Sequence, residues 1–302
     1  MNSKVETSKK PTDPSKITIG EILSRYADDC GPTQKDPART AYAIEALAPW
    51  WGDLTPDDIT IARIHEYQQL RKKSNGTIRR ELGVLRAALN HAEIELRLPN
   101  PPKIKLPKKP PPRSRWLTED EANRLWRHAP PHLQRFILIS LYTGRRKRAV
   151  LDLRWSPSAN HGWIDLNRSI ISFIGMDETE SGKKRGSIAM PKPLLDSAAQ
   201  WEQDRVPSVI HYKGDPVKDI KSSFKIACRD AGLSDVTPHT LKHTAVTWAF
   251  QKGMRLEDAA DYFATSIETL MEVYRQHSPH YQDRAISVMN QIGKDFIADN
   301  IA

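Results

Sequence analysis

A proline-rich segment near the middle of the chain limits what the rest can fold into. Residues 99–115, PNPPKIKLPKKPPPRSR, hold seven prolines, six basic residues and no acid. Proline fixes φ and lacks a backbone N–H, so such a segment joins neither a helix nor a sheet ladder. We predict an extended linker between two domains.

The chain length agrees with this division. At roughly 150 residues per domain, 302 residues make about two domains. Residues 1–16 are polar and show no apolar period, so we predict a disordered leader. A helical domain then covers 17–98, the linker covers 99–115, and a second domain covers 116–302.

Composition excludes several classes of protein. With 38% hydrophobic and 27% charged residues, the chain can bury a core. Its longest nearly apolar run, 136–142, is too short for a bilayer that needs about 20 residues, and the N-terminus has no apolar stretch for a signal peptide. We expect a cytoplasmic protein. Cys30 and Cys228 lie far apart, which argues against a disulfide framework and predicts two small buried side chains.

The charge balance favours a polyanionic partner. Against 37 acidic residues stand 46 Lys and Arg, for a net charge of +9 and a pI near 9.4. The linker is then either a solvated spacer or a basic strap along a phosphate backbone, between two domains that clamp a duplex.

The first domain reads as helices. Thr18 and Glu21 form a capping box, Thr55-Pro56-Asp57-Asp58 predicts a second helix start, and a third helix begins near Ser74. In that third helix the apolar residues repeat every three or four positions, and Arg79, Arg80 and Arg86 point elsewhere.

The second domain predicts a mixed architecture. Thr118–Glu121 is a capping box before a helix to about His128, and a buried helix ends at Gly144. Short β-rich runs between 162 and 191 predict a small antiparallel sheet of about three strands. Beyond Pro193 we predict helix to the end, with stops at Gly232 and Gly253. The fold class is mainly α with a small antiparallel sheet.

Two apparent motifs carry no function. Gly175–Lys183 has six residues between its glycines, where a phosphate loop needs four. His239 and His243 are four apart on a predicted helix, but Thr240 stands where a zinc protease has its glutamate.

A scattered polar set remains in the second domain: Arg146, Lys183, Lys184, His239, Lys242 and Tyr274. Its order and spacing resemble the tyrosine recombinases, the phage-integrase family. The most similar stretches are TGRRKRAVLDLRW (143–155), TPHTLKHTAVTWAFQKG (237–253) and SIETLMEVYRQHSP (266–279). They are similar to integrases of bacterial mobile elements.

The resemblance implies a SAM-like helical core-binding domain followed by an α+β catalytic domain with a C-terminal tyrosine helix. It implies that Tyr274 attacks a DNA phosphodiester to give a 3′-phosphotyrosyl link. Arg146 would bind the phosphoryl oxygens, Lys183 would be the general acid with Lys184 as the alternative, and His239 would assist at the phosphate and the phenol proton.

The resemblance also implies partners. These are double-stranded DNA, a homotetramer assembled on it, and an accessory DNA-bending or directionality protein; no metal or other cofactor is required. Basic residues of the helical domain and the linker would contact phosphates: Arg79, Arg80, Arg86, Lys103, Lys105, Lys108, Lys109, Arg113 and Arg115.

Some positions depart from the family pattern. Lys242 stands where the family has a second arginine, and lysine lacks the planar two-donor fork. Thr265, after Phe263-Ala264, replaces a histidine or tryptophan that follows Leu-Gly; its hydroxyl can still donate a hydrogen bond.

These departures leave two functions open. The first is an active or slow site-specific recombinase that integrates or excises a mobile element. The alternative is a catalytically impaired integrase relic that acts as a DNA-binding regulator or an inactive subunit.

Each site residue also has an ordinary structural interpretation. Arg145 and Arg146 would be a solvated pair, Lys183 and Lys184 would be turn charges, His239 would be a helix-start residue, and Tyr274 would be a packed tyrosine.

Overall fold

The computed structural model describes residues 13–34, 36–111, 115–178 and 186–274, together with 286, 287, 289 and 290. The chain divides into two compact units, Met1–Pro111 and Pro112–Ala302. Of the predicted leader, the structure describes only 13–16, where the Lys16 amide donates to the Asp13 carbonyl at 3.1 Å. No helix in the described part of the chain is long and apolar enough to cross a bilayer.

Over its described residues the first unit has four α-helices: α1 (Ile19–Cys30), α2 (Pro37–Trp51), α3 (Ile61–Leu70) and α4 (Asn75–Glu95). The predicted capping box is confirmed, because Thr18 accepts from the Glu21 amide and the Glu21 carboxylate accepts from the Thr18 amide. Ser74 caps α4 as predicted. Local hydrogen bonds of this kind satisfy the first orphan amides of a helix.

The helix start predicted at Thr55 is wrong in its extent. Thr55 and Asp58 do form a capping box, but the element is a single 3₁₀ turn, Pro56–Asp58. Ile59 is extended, and α3 begins only at Ile61, with Thr60 as its cap. A second threonine cap restarts the helix where the first one closed a turn.

A buried carboxylate joins α3 to α4 in the first unit. Glu81, 4% exposed, accepts a 2.8 Å hydrogen bond from the Tyr67 hydroxyl and a paired interaction from Arg71 at 3.0 and 3.2 Å. Around it lies an apolar core that includes the fully buried Trp51 and Leu82. Burial and the neighbouring Glu81 raise the pKa of Tyr67.

Much of the predicted linker packs on the first unit. Residues 101–111 form no helix or strand, as predicted. Ile104 is only 5% exposed and belongs to the core of the unit, with Leu106 packed beside it. The Arg79 guanidinium donates to the Pro107 carbonyl. Because Ile104 is buried, the segment is not a fully solvated spacer.

The second unit contains eight α-helices within the described residues: three before the three-stranded sheet, one after it, and four beyond a short hairpin. They are α5 (Glu119–Arg127), α6 (Pro131–Thr143), α7 (Lys147–Leu151), α8 (Lys192–Glu202), α9 (Lys221–Asp230), α10 (Pro238–Gln251), α11 (Leu256–Tyr262) and α12 (Ile267–Tyr274). The predicted stops are confirmed: Gly144, Gly232 and Gly253 all have positive φ, which only glycine adopts without strain.

The predicted three-stranded sheet is confirmed. Strands β1 (Trp163–Asp165), β2 (Ile170–Ser172) and β3 (Ser187–Ala189) pair antiparallel in that order. Ile164 faces Ile171, and Ile171 faces Ile188, so the buried face is a row of isoleucines. This row joins the core around α6, with the fully buried Phe136 at its centre.

A β-hairpin interrupts the helices that we predicted beyond Pro193. Strands β4 (His211–Tyr212) and β5 (Asp215–Pro216) flank Lys213 and Gly214, which both have positive φ. Such a pair forms the two-residue turn that matches the twist of a hairpin. The strands are too short to show a period of two, so only the Gly214 turn signalled them. His211 is held by Asp204 at 3.1 Å and by Arg135 at 3.0 Å.

Replacing Arg71 by methionine is expected to lower the free energy of unfolding by about 3 kcal/mol, because Glu81 would remain buried without its cation. Urea unfolding at pH 7 measures the loss. The control is Arg86→Met on the exposed face of α4, which should change stability by less than about 0.5 kcal/mol. Equal losses in the two variants would contradict a structural role for the buried pair.

Candidate active site

The turn between α6 and α7 sets the first wall of the site. Gly144 ends α6 with φ at 58°, and a Cβ there would lie 2.5 Å from Cδ1 of Phe263. Only glycine allows this approach. The turn delivers Arg145 and Arg146 in succession, and their side chains take different environments.

Arg145 is buried and Arg146 is exposed. The Arg145 guanidinium, 6% exposed as a residue, lies 4.9 Å over the Phe173 ring. Arg146 caps α7 and faces solvent. The interpretation of both as a solvated pair is therefore wrong for Arg145, which is buried beside Phe173, the residue that follows β2.

Helix α10 supplies the second wall. Thr237 and Thr240 cap it with a reciprocal hydrogen bond, and Pro238 opens its first turn. His239 follows Pro238 and is exposed, whereas His243, one turn on, is half-buried. Their rings meet edge to face, with centroids 4.7 Å apart.

Lys242 and Thr265, two of the departures from the family pattern, contact each other. The Lys242 ammonium, buried at 7% exposure of the residue, donates to the Thr265 hydroxyl at 2.8 Å and to the Phe263 carbonyl at 3.2 Å. The Thr265 hydroxyl itself lies 3.1 Å from the Phe263 carbonyl, to which it donates. The hydrogen bond that we expect the Thr265 hydroxyl to donate is therefore made within the protein.

Electrostatic repulsion shows that the arginine turn lies close to α10. Burial, followed by repulsion from Arg146 and then Arg145, lowers the pKa of Lys242 to about 7. Burial, followed by repulsion from His239 and Lys242, lowers the pKa of His243 to about 4. Lys242 thus lies close to the charges of Arg145 and Arg146, and a cluster of positive charges of this kind favours a bound anion.

Tyr274 and the hairpin lysines complete the predicted set. Tyr274 lies on α12, a helix whose fully buried Leu270 belongs to the same apolar cluster as Val246 of α10. The Tyr274 side chain lies outside what the structure describes, as do Lys183, Lys184 and Arg113.

The predicted phosphate contacts of the first unit have two kinds of environment. Exposed side chains belong to Arg80, Arg86, Lys103, Lys105, Lys108 and Lys109. Arg79 is half-buried and bonded to Pro107. Arg115 belongs to the second unit, where it makes a paired interaction with Glu121 at 2.6 and 2.9 Å. That carboxylate already occupies the fork of its guanidinium.

Helix α9 carries a basic surface that the sequence analysis did not predict. Lys221, Lys225 and Arg229 are exposed on one face of α9, at i, i+4 and i+8. They border a groove of about 530 Å³ that is also lined by Lys147 and by Pro238 at the start of α10. Their four-residue spacing in the sequence places all three cations on one face of a helix and could have predicted this surface.

The described cysteines and histidines were candidates for a metal centre. Cys228 is buried as predicted, and Cys30 is only partly buried. Over the described residues, no group of three or more His, Cys, Asp and Glu is placed to hold a metal ion.

Comparison with known proteins identifies the fold and the family. The phage integrase family model matches residues 115–280, more than half of the chain. The chain belongs to that family. Its fold is similar to a Tn1549 transposon integrase in complex with transposon right-end DNA, with a TM-score of 0.73, 15% identity, 92% of this chain and 100% of that one covered. A lambda integrase dimer bound to a core site gives 0.66 at 18% identity, covering 86% and 77%.

Sequence relatives carry the names of recombinases and integrases. The tyrosine recombinase XerC of Chlamydia caviae is 28% identical over 47% of this chain and 54% of that protein. The integrase of Salmonella phage P22 is 27% identical over 57% and 46%, and a shufflon-specific DNA recombinase of Escherichia coli is 26% identical over 79% and 63%. The chain thus spans about half the length of the first two relatives.

Replacing His243 by glutamine is expected to reduce the loss of stability in acid. Between pH 6.5 and 4 the unfolded chain binds a proton at His243 that the folded chain does not bind, so folding stability falls as the pH falls through this window. Wild type should lose about 2 kcal/mol more than the variant between pH 7 and 4.5, as measured by urea unfolding.

The control for this titration is His65→Gln, an exposed histidine of α3. It should lose as much stability in acid as wild type. Parallel losses in wild type and His243→Gln would show that the burial of His243 does not control this part of the pH profile.

Proposed function

We propose that this protein is a site-specific DNA recombinase that cuts and rejoins DNA through a 3′-phosphotyrosyl intermediate, in the integration or excision of a mobile element. The observation that carries this proposal is the buried Lys242 of α10, which lies three residues after His239 and close enough to Arg146 to be repelled by its charge, on a helix that shares an apolar cluster with α12, the helix that carries Tyr274. The names of the sequence relatives support strand cutting over a DNA-binding relic.

The proposed reaction begins at the phosphate. Arg146, exposed at the start of α7, binds two phosphoryl oxygens through its guanidinium fork. Lys242 adds a second positive charge from α10. These groups stabilise the charge that grows on the oxygens as the Tyr274 oxygen attacks in line and the 5′-oxygen leaves.

Proton transfers accompany the two oxygen exchanges. His239 accepts the phenol proton of Tyr274, and Lys183 protonates the leaving 5′-oxygen, with Lys184 as its alternative. The phosphotyrosyl bond keeps the energy of the broken phosphodiester, and attack by a 5′-hydroxyl restores it. This scheme uses no metal ion or nucleotide.

The proposed partner is double-stranded DNA, bound by basic residues of both units. The exposed lysines of 103–109 with Arg80 and Arg86 supply phosphate contacts in the first unit, and Lys221, Lys225 and Arg229 supply them in the second. A homotetramer on DNA accounts for four strand cuts in two duplexes. An accessory bending or directionality protein and a location in the bacterial cytoplasm or nucleoid complete the proposal.

The nucleophile is tested by trapping the adduct. We expect a labelled duplex that carries a candidate attachment site, with a nick beside the scissile phosphate, to give a covalent complex on a denaturing gel, because the short product diffuses away. Tyr274→Phe should abolish this band, since it lacks the attacking oxygen. Tyr212→Phe, an exposed tyrosine of the β4–β5 hairpin, is the matched control and should keep it.

Two results would count against the proposal. A band that survives in Tyr274→Phe would assign the attack to another group. Specific binding without any band in wild type would favour the non-cutting DNA-binding protein.

The salt dependence of DNA binding tests whether the basic linker lies along the phosphate backbone as a strap. Neutralising Lys108 and Lys109 to glutamine should reduce the slope of log binding constant against log salt by about 2, because each phosphate contact releases counterions. Filter binding between 50 and 200 mM salt measures this slope. Lys72 and Lys73, an adjacent exposed pair outside the strap, are the matched control. An unchanged slope in the Lys108 and Lys109 variant would exclude the strap.

A further inference from the structure

Lys242 donates two hydrogen bonds to oxygens of the protein itself. An ammonium has three donors, and two of them reach the neutral oxygens of Phe263 and Thr265. The Thr265 hydroxyl hydrogen is also committed, to the Phe263 carbonyl. One donor of Lys242 is left over from these contacts, which is fewer than a residue serving only the phosphate would offer.

These bonds converge on a strained turn. Ala264 has a φ of 46°, the left-handed conformation that a residue with a Cβ adopts at a cost. Such strain persists where the surrounding structure overrides it. Here Phe263 is pinned against Gly144, the Thr265 amide donates to the Ala260 carbonyl at 3.1 Å, and Lys242 binds both flanks of Ala264.

The turn controls where α12 begins. It connects Tyr262, the end of α11, to Ile267, the start of α12, through four residues. With so short a connection, a shift of Thr265 moves the first turn of α12. That helix carries Tyr274 seven residues after its start.

We propose that Lys242 is a positioning residue, which ties the Phe263–Thr265 turn to α10 and thereby fixes the start of the helix that carries Tyr274, with Thr265 as the hydroxyl that holds it. For its effect on catalysis, this inference rests on the proposed function. Thr265 acts through Lys242 and the turn, and does not touch the substrate.

The first test needs no activity. Amide hydrogen exchange of the free full-length protein is followed across 260–270. Thr265→Val keeps the shape of the side chain but removes the hydroxyl, and should speed exchange there by about tenfold, the effect of losing one hydrogen bond to a charged group. Lys242→Met should do the same, whereas Thr265→Ser should restore most of the protection.

The matched control is Thr269→Val, an exposed threonine of α12 whose hydroxyl meets only Ser266 among the described hydrogen bonds. It should leave exchange at 260–265 unchanged. Unaltered exchange in α8, which belongs to the same unit as the substituted residues, shows that the second unit of every variant is folded.

The second test measures the trapped adduct at saturating nicked duplex. Thr265→Val should slow its formation by about tenfold or more, because a misplaced nucleophile loses orientation. Its affinity for the uncut duplex should stay within about twofold of wild type, since no substrate contact is removed. Thr265→Ser should recover most of the rate.

The two tests separate the hypotheses. Unchanged exchange in both Thr265→Val and Lys242→Met overturns the tether, whatever the adduct shows. Faster exchange with an unchanged adduct rate overturns the positioning role. Faster exchange in a protein whose wild type forms no adduct supports the tether and refutes the proposed recombinase.

Discussion

The contact between Gly144 and Phe263 is the constraint on which the site depends. The Phe263 ring occupies the space that a Cβ would fill, so the arginine turn and the α11–α12 turn meet without any intervening side chain. That meeting brings Lys242 within reach of the Phe263 carbonyl and close enough to Arg146 and Arg145 to feel their charge. A larger residue at Gly144 would separate the two turns, and the cations with them.

Collected cations are expensive to hold together inside a protein. The lowered pKa of Lys242 reflects this repulsion, because burial and then the two arginines oppose its charge. An arriving phosphate would offset the repulsion and favour the ammonium form. Hydrogen bonds to Phe263 and Thr265 already hold the Lys242 ammonium in place, so this group would need little reorganisation at the moment of reaction. The same arrangement that strains the free protein therefore suits the reaction that we propose.

The unusual residues of this chain are neighbours in space. Lys242 lies on α10, and Ala264 and Thr265 lie some twenty residues later in a turn. Hydrogen bonds from Lys242 to the residues on both sides of Ala264 join the helix to this turn. A lysine in place of an arginine keeps the charge and loses the fork. Here the compact ammonium also fits between two oxygens of a tight turn. The two departures from the family pattern, Lys242 and Thr265, thus form one hydrogen-bonded arrangement and are not two independent losses of a catalytic group.

How much could be predicted depended on whether a signal was local. Capping boxes at Thr18 and Thr118, the glycine stops and the isoleucine strands are written in adjacent residues, and the structure confirms them. The hairpin at 211–216 was missed because two-residue strands have no visible period. The 3₁₀ turn at Pro56 was overextended because a cap predicts where a helix begins but not how long it continues.

The sequence by itself determined the family, the residue types at the proposed site and the elements that carry them, because these follow from motifs and from hydrogen bonds between near neighbours. Only the tertiary structure decided what each side chain contacts. It covered Arg145 with Phe173, paired Arg115 with Glu121, buried Ile104 and joined Lys242 to Thr265. Such contacts join residues that are far apart in the sequence, and a local sequence pattern does not specify how distant segments pack.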